Sequence, residues 1–113
     1  MATGTITNVI STGSNTNGYY CKFSDGTLIQ YGHVLVSFSG SMASGSITMP
    51  YSFISDPAPT FFIMAQSTSV ERLLLKCGAN ASGNNFDYTV ATADGTSYSS
   101  SRNLNWFAIG RWK

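Results

Sequence analysis

From Gly18 onward, apolar and polar residues alternate along short stretches separated by turn residues, and no stretch holds a 3.6-residue period over helical length. Tyr19–Ser24 reads as a first strand. Asp25-Gly26 follows, a dipeptide favoured in two-residue hairpin loops because both central positions need positive φ. Thr27–Ser39 reads as the long returning strand. Leu28, Gln30, Gly32, Val34, Val36 and Phe38 fall on one face, and Ile29, Tyr31, His33, Leu35 and Ser37 on the other. Both faces carry apolar side chains, and a strand apolar on both faces is usually covered on both. In a domain this small, one cover is expected from a second sheet and the other from a neighbouring subunit.

Gly40–Gly45 reads as a loop, and Ser46–Phe53 as a strand that Pro50 confines to an edge or bulged position. Residues 56–59 (DPAP) read as a turn. Thr60–Thr68 and Glu71–Cys77 read as strands, although Leu73-Leu74-Leu75 would also suit a turn of helix. Gly78–Asn85 reads as a flexible tip, Phe86–Ala93 as a strand, Asp94-Gly95 as a turn and Ser97–Asn103 as a polar loop. Asn105–Lys113 closes the chain as a strand in which Trp106, Ala108 and Trp112 alternate with Phe107 and Ile109. So apolar an end is expected to be a central strand or a subunit contact. Six to eight short strands with turns at this spacing predict an all-β fold, an antiparallel sandwich or a barrel.

Residues 1–17 are rich in Ser, Thr, Asn and Gly, and only Ile6, Val9 and Ile10 could anchor them to a core. They read as a linker from something upstream or as a loosely held first strand. The domain proper then occupies residues 18–113.

The 113 residues suffice for one domain. Charged residues make up 10% of the chain, against about 25% in ordinary globular domains. The net charge is +1, and the six basic residues are scattered. A phosphate-binding surface needs clustered Lys and Arg, so nucleic acid is not an expected partner. No hydrophobic run reaches membrane-spanning length, and membrane insertion is not expected either.

Catalytic chemistry is sparse. The chain has one His and five carboxylates. Asp25 and Asp94 belong to Asp-Gly turns, Asp56 precedes Pro57, and Glu71 beside Arg72 flanks a strand; only Asp87 lies inside one. No nucleophile elbow and no phosphate-cradling Gly loop leading into a helix is present. A non-enzymatic protein without cofactor or metal is therefore expected. His33 reads as a core or interface histidine, since a single His could ligate a metal only where symmetry gathers copies at an axis. Cys21 and Cys77 show no metal or redox spacing; free thiols and a disulfide both remain open.

The loops carry a different chemistry. Asn80, Asn84, Asn85, Arg102 and Asn103, with Tyr88 and Tyr98 close by in sequence, combine amide hydrogen bonding, a guanidinium fork and aromatic plates. A neutral sugar calls for that set, with polar groups for its hydroxyls and an apolar plate for its ring C–H groups. These seven are the candidate ligand-binding residues.

Two stretches also carry a resemblance. Gly18-Tyr19-Tyr20-Cys21-Lys22-Phe23-Ser24-Asp25-Gly26-Thr27-Leu28-Ile29-Gln30-Tyr31-Gly32 and the terminal Trp106-Phe107-Ala108-Ile109-Gly110-Arg111-Trp112-Lys113 resemble the opening hairpin and closing strand of the gp53-like C-terminal domains of bacteriophage and prophage tail fibres. Ile47-Thr48-Met49-Pro50-Tyr51-Ser52-Phe53 with Pro57 and Pro59 fits the segment between them. Cys21 and Tyr31 stand where other apolar or aromatic residues are expected. The resemblance implies a sandwich similar in architecture to H-type lectins, assembled as a homotrimer at the distal tip of a virion's tail fibre. It further implies an upstream fibre shaft as neighbour and a host receptor, often a bacterial surface polysaccharide, as target. A structural trimerisation cap without its own ligand is the alternative. The matching motifs are scaffold, so the resemblance transfers no binding residues.

Overall fold

Eight strands and no helix are found among residues 8–55, 58–65, 73–79, 84–97 and 101–113, which the computed structural model describes. They are β1 (Val9–Asn15), β2 (Gly18–Phe23), β3 (Thr27–Val36), β4 (Met42–Thr48), β5 (Thr60–Ala65), β6 (Leu73–Ala79), β7 (Asn85–Thr92) and β8 (Arg102–Arg111). A five-stranded sheet has the order β1-β2-β3-β8-β5, and a three-stranded sheet the order β4-β7-β6. Every pairing is antiparallel. The all-β expectation holds, with strand number at the top of the expected range.

The two sheets enclose one core. Leu28, Val36, Leu104, Trp106 and Ala108 face inward from the large sheet, and Ala43, Ile47, Phe86, Tyr88 and Val90 from the small one. The Phe86 ring stacks on Phe61 at 4.3 Å and meets Trp106 edge-on at 6.0 Å. Each such side chain contributes about 1.5–3 kcal/mol by leaving water. The alternation read along β3 is correct, since Leu28, Gln30 and Val36 are buried while Tyr31, His33 and Leu35 are exposed. β8, expected as a central strand or a subunit contact, is an interior strand, paired with β3 over its whole length and with β5 along six of its residues.

Met49 and Phe53 enter the core from the stretch between β4 and β5. This stretch was expected to be strand as far as Phe53, but β4 ends at Thr48 and residues 49–53 pair with no strand. Pro50 has no N–H for a ladder. Gln30 replaces the ladder: fully buried, it donates Nε2–H to the Tyr51 carbonyl at 2.7 Å and accepts the Tyr51 N–H on Oε1 at 2.8 Å. Its amide acts as a piece of backbone. At Gly32 the Trp106 indole lies so close that a Cβ would come within 2.8 Å of its Nε1. Any larger residue would push the ring out of the core.

Other boundaries differ from expectation. The 40–45 segment is not all loop, because β4 begins at Met42 and pairs with Ala91 on β7. Its Ser/Gly composition conceals a strand whose inward positions include Ala43 and Ile47. The Leu73-Leu74-Leu75 run is strand. β6 runs to Ala79 and β7 starts at Asn85, which shortens the 78–85 tip at both ends; residues 80–83 lie outside the described residues. β8 begins at Arg102, inside the expected polar loop. The β2–β3 connection has three residues, Ser24 to Gly26, and of these only Gly26 has positive φ (+99°). Asp25 instead accepts the Thr27 N–H at 2.9 Å. This is a three-residue hairpin with Gly in the left-handed position, in place of the two-residue turn. Of residues 1–17, Val9–Asn15 take the strand form as β1, pairing with β2 at the sheet edge. Val9 and Ile10 do not anchor to the core; they are more than half exposed.

Candidate functional site

Of the seven loop-chemistry residues five are described, and these five do not gather in one place. Asn84 is exposed just before β7, where its Oδ1 accepts from the Ser52 hydroxyl at 2.8 Å and its carbonyl accepts the Met49 N–H at 2.8 Å. Asn85 opens β7 half-buried, with Oδ1 buried and unpartnered. Tyr88 is only 8% exposed, and its ring belongs to the core. Burial pushes its phenol pKa above the ordinary value. The position lies on the inward period of β7, which outweighs its nearness in sequence to polar loops. Arg102 opens β8 and donates to the Ser101 carbonyl at 3.2 Å, and Asn103 beside it is exposed. Asn80 and Tyr98 lie outside the described residues.

Topology separates the pairs. Arg102 is the register partner of Val36, where β3 leaves for β4. The start of β4 pairs with the end of β7. Arg102 and Asn103 therefore lie towards the end of β7, and Asn84 and Asn85 at its beginning. The acids are also dispersed: Asp25 in the β2–β3 hairpin, Asp87 on β7 accepting from the Ser46 hydroxyl, and Asp94 in the turn after β7. Asp56 and Glu71 are outside the described residues. Among the described residues no three His, Cys, Asp or Glu side chains gather as metal ligands. Cys21 on β2 is free and half-buried.

A different surface stands out: the outer face of the large sheet. Its inner face is covered by the small sheet, while the outer one carries Leu35 (63% exposed), Met64 (60%), Phe62 (52%) and Tyr19 (51%), with Tyr31, Phe107 and Ile109 also exposed. Tyr19 stacks on Tyr31 at 5.3 Å, and Phe62 meets Phe107 at 6.1 Å. Along this row of rings runs a groove of about 570 Å³ whose lining includes His33 and Asn105. Monomeric proteins rarely keep so continuous an apolar face in water. Its signal in the sequence is the second apolar period of β3 and β8.

The sequence matches a family model described as "Putative tail fiber protein gp53-like, C-terminal" over residues 22–111. The chain belongs to this family. It is a phage tail fibre C-terminal domain. The matched region runs from near the end of β2 to the end of β8, so it contains the whole small sheet and β3, β8 and β5 of the large one. Among solved structures, the C-terminal part of the P. aeruginosa R1 pyocin fibre superposes with a TM-score of 0.61 at 17% identity, covering 95% of this chain and 28% of that one. An N-truncated R1-type pyocin tail fibre gives 0.60 at 17% identity, covering 95% of this chain and 87% of that one. At this identity the likeness is one of fold. The tail fibre domain thus spans under a third of the first of these chains and most of the second. No curated protein matches the sequence.

Proposed function

We propose that this tail fibre domain is a receptor-binding tip that works as a homotrimer and recognises a bacterial surface glycan without catalysing a reaction on it. The observation that carries the reading is the apolar outer face of the five-stranded sheet, present in a domain of tail fibre type. Packing three copies around an axis would remove Tyr19, Tyr31, Leu35, Phe62, Met64 and Phe107 from water. Each large side chain so buried contributes about 1.5–3 kcal/mol, and a three-fold ring closes without leaving a free patch. In this arrangement an upstream shaft delivers three chains together. Three copies of a weak sugar site then act by avidity.

The weak charge of the chain supports a neutral ligand. H-type-lectin-like architecture and placement at the distal end of the fibre belong to the same proposal. Light scattering over a concentration range tests the assembly; a particle of three chains is expected, and a persistent monomer rejects it. Labelled protein incubated with a panel of bacterial strains tests the recognition. Binding that the strain's own extracted polysaccharide competes away is expected. A stable trimer that adheres to no strain would favour the capping role instead.

A further inference from the structure

Antiparallel register lays the outer face of the large sheet out in rows. Tyr19, Tyr31, Phe107 and Phe62 form one row, a line of rings that crosses β2, β3, β8 and β5. The next row holds His33, Asn105 and Met64, and the one beyond it Leu35 and Asn103. His33 is exposed, with Tyr31 and Leu35 on either side of it along the strand. It therefore lies within the apolar patch. Whatever covers Tyr31, Leu35 and Met64 covers the imidazole as well.

Among the described residues, no counter-ion accompanies it. From β2 the titratable groups on this face are Tyr19 and Cys21, and from β3 itself Tyr31; phenols and thiols are neutral in mildly acidic water. β8 turns Asn103, Asn105 and Phe107 to this face, and β5 turns Phe62 and Met64, none of them ionisable. Arg111 ends this face of β8 opposite Thr27, at the far end of β3, where it donates to the Asp25 carbonyl. Arg102 pairs with Val36 and takes the alternate, inward period of β8. Beyond the start of β2, the β1–β2 turn and β4 border the hollow beside His33 with Thr16, Asn17, Ser46 and Thr48. The carboxylate bonded to Ser46, that of Asp87, belongs to the small sheet. A neutral imidazole tolerates an apolar partner. An imidazolium without a counter-ion does not, because leaving water disfavours the charged form.

We infer that His33 makes assembly through this face pH-dependent: the trimer holds three neutral imidazoles and comes apart into folded monomers in mildly acidic solution. The inference rests on the trimer reading above and supplies its regulation. Charge agrees with copies of the chain as the occupant. Each carries a net charge of +1, so copies scarcely repel while His33 is neutral, whereas three protonated copies would bring three like charges into one apolar contact. The sign follows from counting protons. A histidine in water gains its proton at about pH 6.5. Below that value three monomers bind three protons that the trimer excludes, so a falling pH favours monomers; above it the trimer keeps its full strength. The trimer's dissociation constant should therefore rise by up to about a thousandfold per pH unit, about tenfold for each proton.

The test is sedimentation of the full chain in steps from about pH 8 down to about pH 5, the range over which histidine changes charge, with circular dichroism recorded in parallel. A trimer is expected at the upper end and a monomer with an unchanged spectrum at the lower. His33→Gln and His33→Leu cannot gain a proton and should stay trimeric throughout. Because the chain has one histidine, its imidazole NMR signal provides a second readout that needs no variant. Its charge change should coincide with dissociation and move to lower pH as the protein concentration is raised. The switch is overturned by a variant that dissociates over the same range, by a titration that ignores protein concentration, or by a loss of trimer that only accompanies a loss of the folded spectrum. If the wild type stays trimeric throughout with an unaltered dissociation constant, the switch falls and the trimer reading stands. If it is monomeric at every pH, the trimer reading falls and takes the switch with it.

Discussion

At the residue scale, three side chains show how a polar, weakly charged chain secures its fold. Gln30 holds the Tyr51 backbone with both ends of its amide. Gln30→Met keeps the volume but strands one N–H and one C=O, each costing about 1–3 kcal/mol. Urea denaturation should show a loss of about 2–4 kcal/mol. Gly32→Ala presses a methyl into the Trp106 indole and should cost about 1–3 kcal/mol, the usual range for overpacking, in the same assay. Asp25 is held below the usual carboxylate range by the N–H and hydroxyl of Thr27, with Arg111 adding attraction. Folding therefore favours its ionised form. Its contribution is complete above the unfolded value, about 3.9, and is lost as pH falls through the folded one. Asp25→Asn should flatten the acid limb of a stability–pH profile. Tyr88 runs the other way. Burial raises its pKa, so its contribution is complete below about pH 10, the unfolded value, and is lost as pH rises towards the folded one. Tyr88→Phe should remove that part of the alkaline limb.

At the scale of elements, β8 organises the large sheet. It lies between β3 and β5, and just past its end Trp112 turns back onto the opening hairpin. Lys22 Nζ stands 4.3 Å above the Trp112 ring and 4.4 Å from that of Tyr51, and the Trp112 backbone N–H donates to the Gly26 carbonyl at 2.9 Å. The first and last strands of the family motif are thus locked together within one chain. This gives Trp112 an intrachain task, where the sequence also allowed a subunit contact. Trp112→Ala should lower stability by about 2–4 kcal/mol, less than a fully buried Trp would cost. In light scattering it should leave the assembled mass unchanged.

At the scale of the whole molecule, the described residues cover only one face of the larger sheet. Phe62 and Phe107 lie on the open face, away from the core, so charging them separates assembly from folding. Phe62→Asp with Phe107→Asp is expected to convert a trimer into monomers with their circular dichroism intact. A variant that stays trimeric would place the interface elsewhere. The open face was legible in the sequence, because Tyr31, His33 and Leu35 alternate with buried neighbours. How far apart the described candidate binding residues lie was not. Asn84 and Arg102 offer complementary polar groups, but strand order places them towards opposite ends of β7.

What the sequence determined by itself is what a strand's two-residue period encodes: an all-β chain, the faces of β3 and β8, and turns where Asp-Gly stands. The Gly-Tyr and Trp-Lys motifs determined the family as well, because their spacing preserves a hairpin and a closing strand. Only the tertiary structure decided the division into five and three strands, the start of β4 within a Ser/Gly stretch and the capture of residues 49–53 by Gln30. These depend on which strands pair across the chain and how far each extends. Pairing between distant segments is selected by the joint burial of many side chains, and no local window of residues contains it.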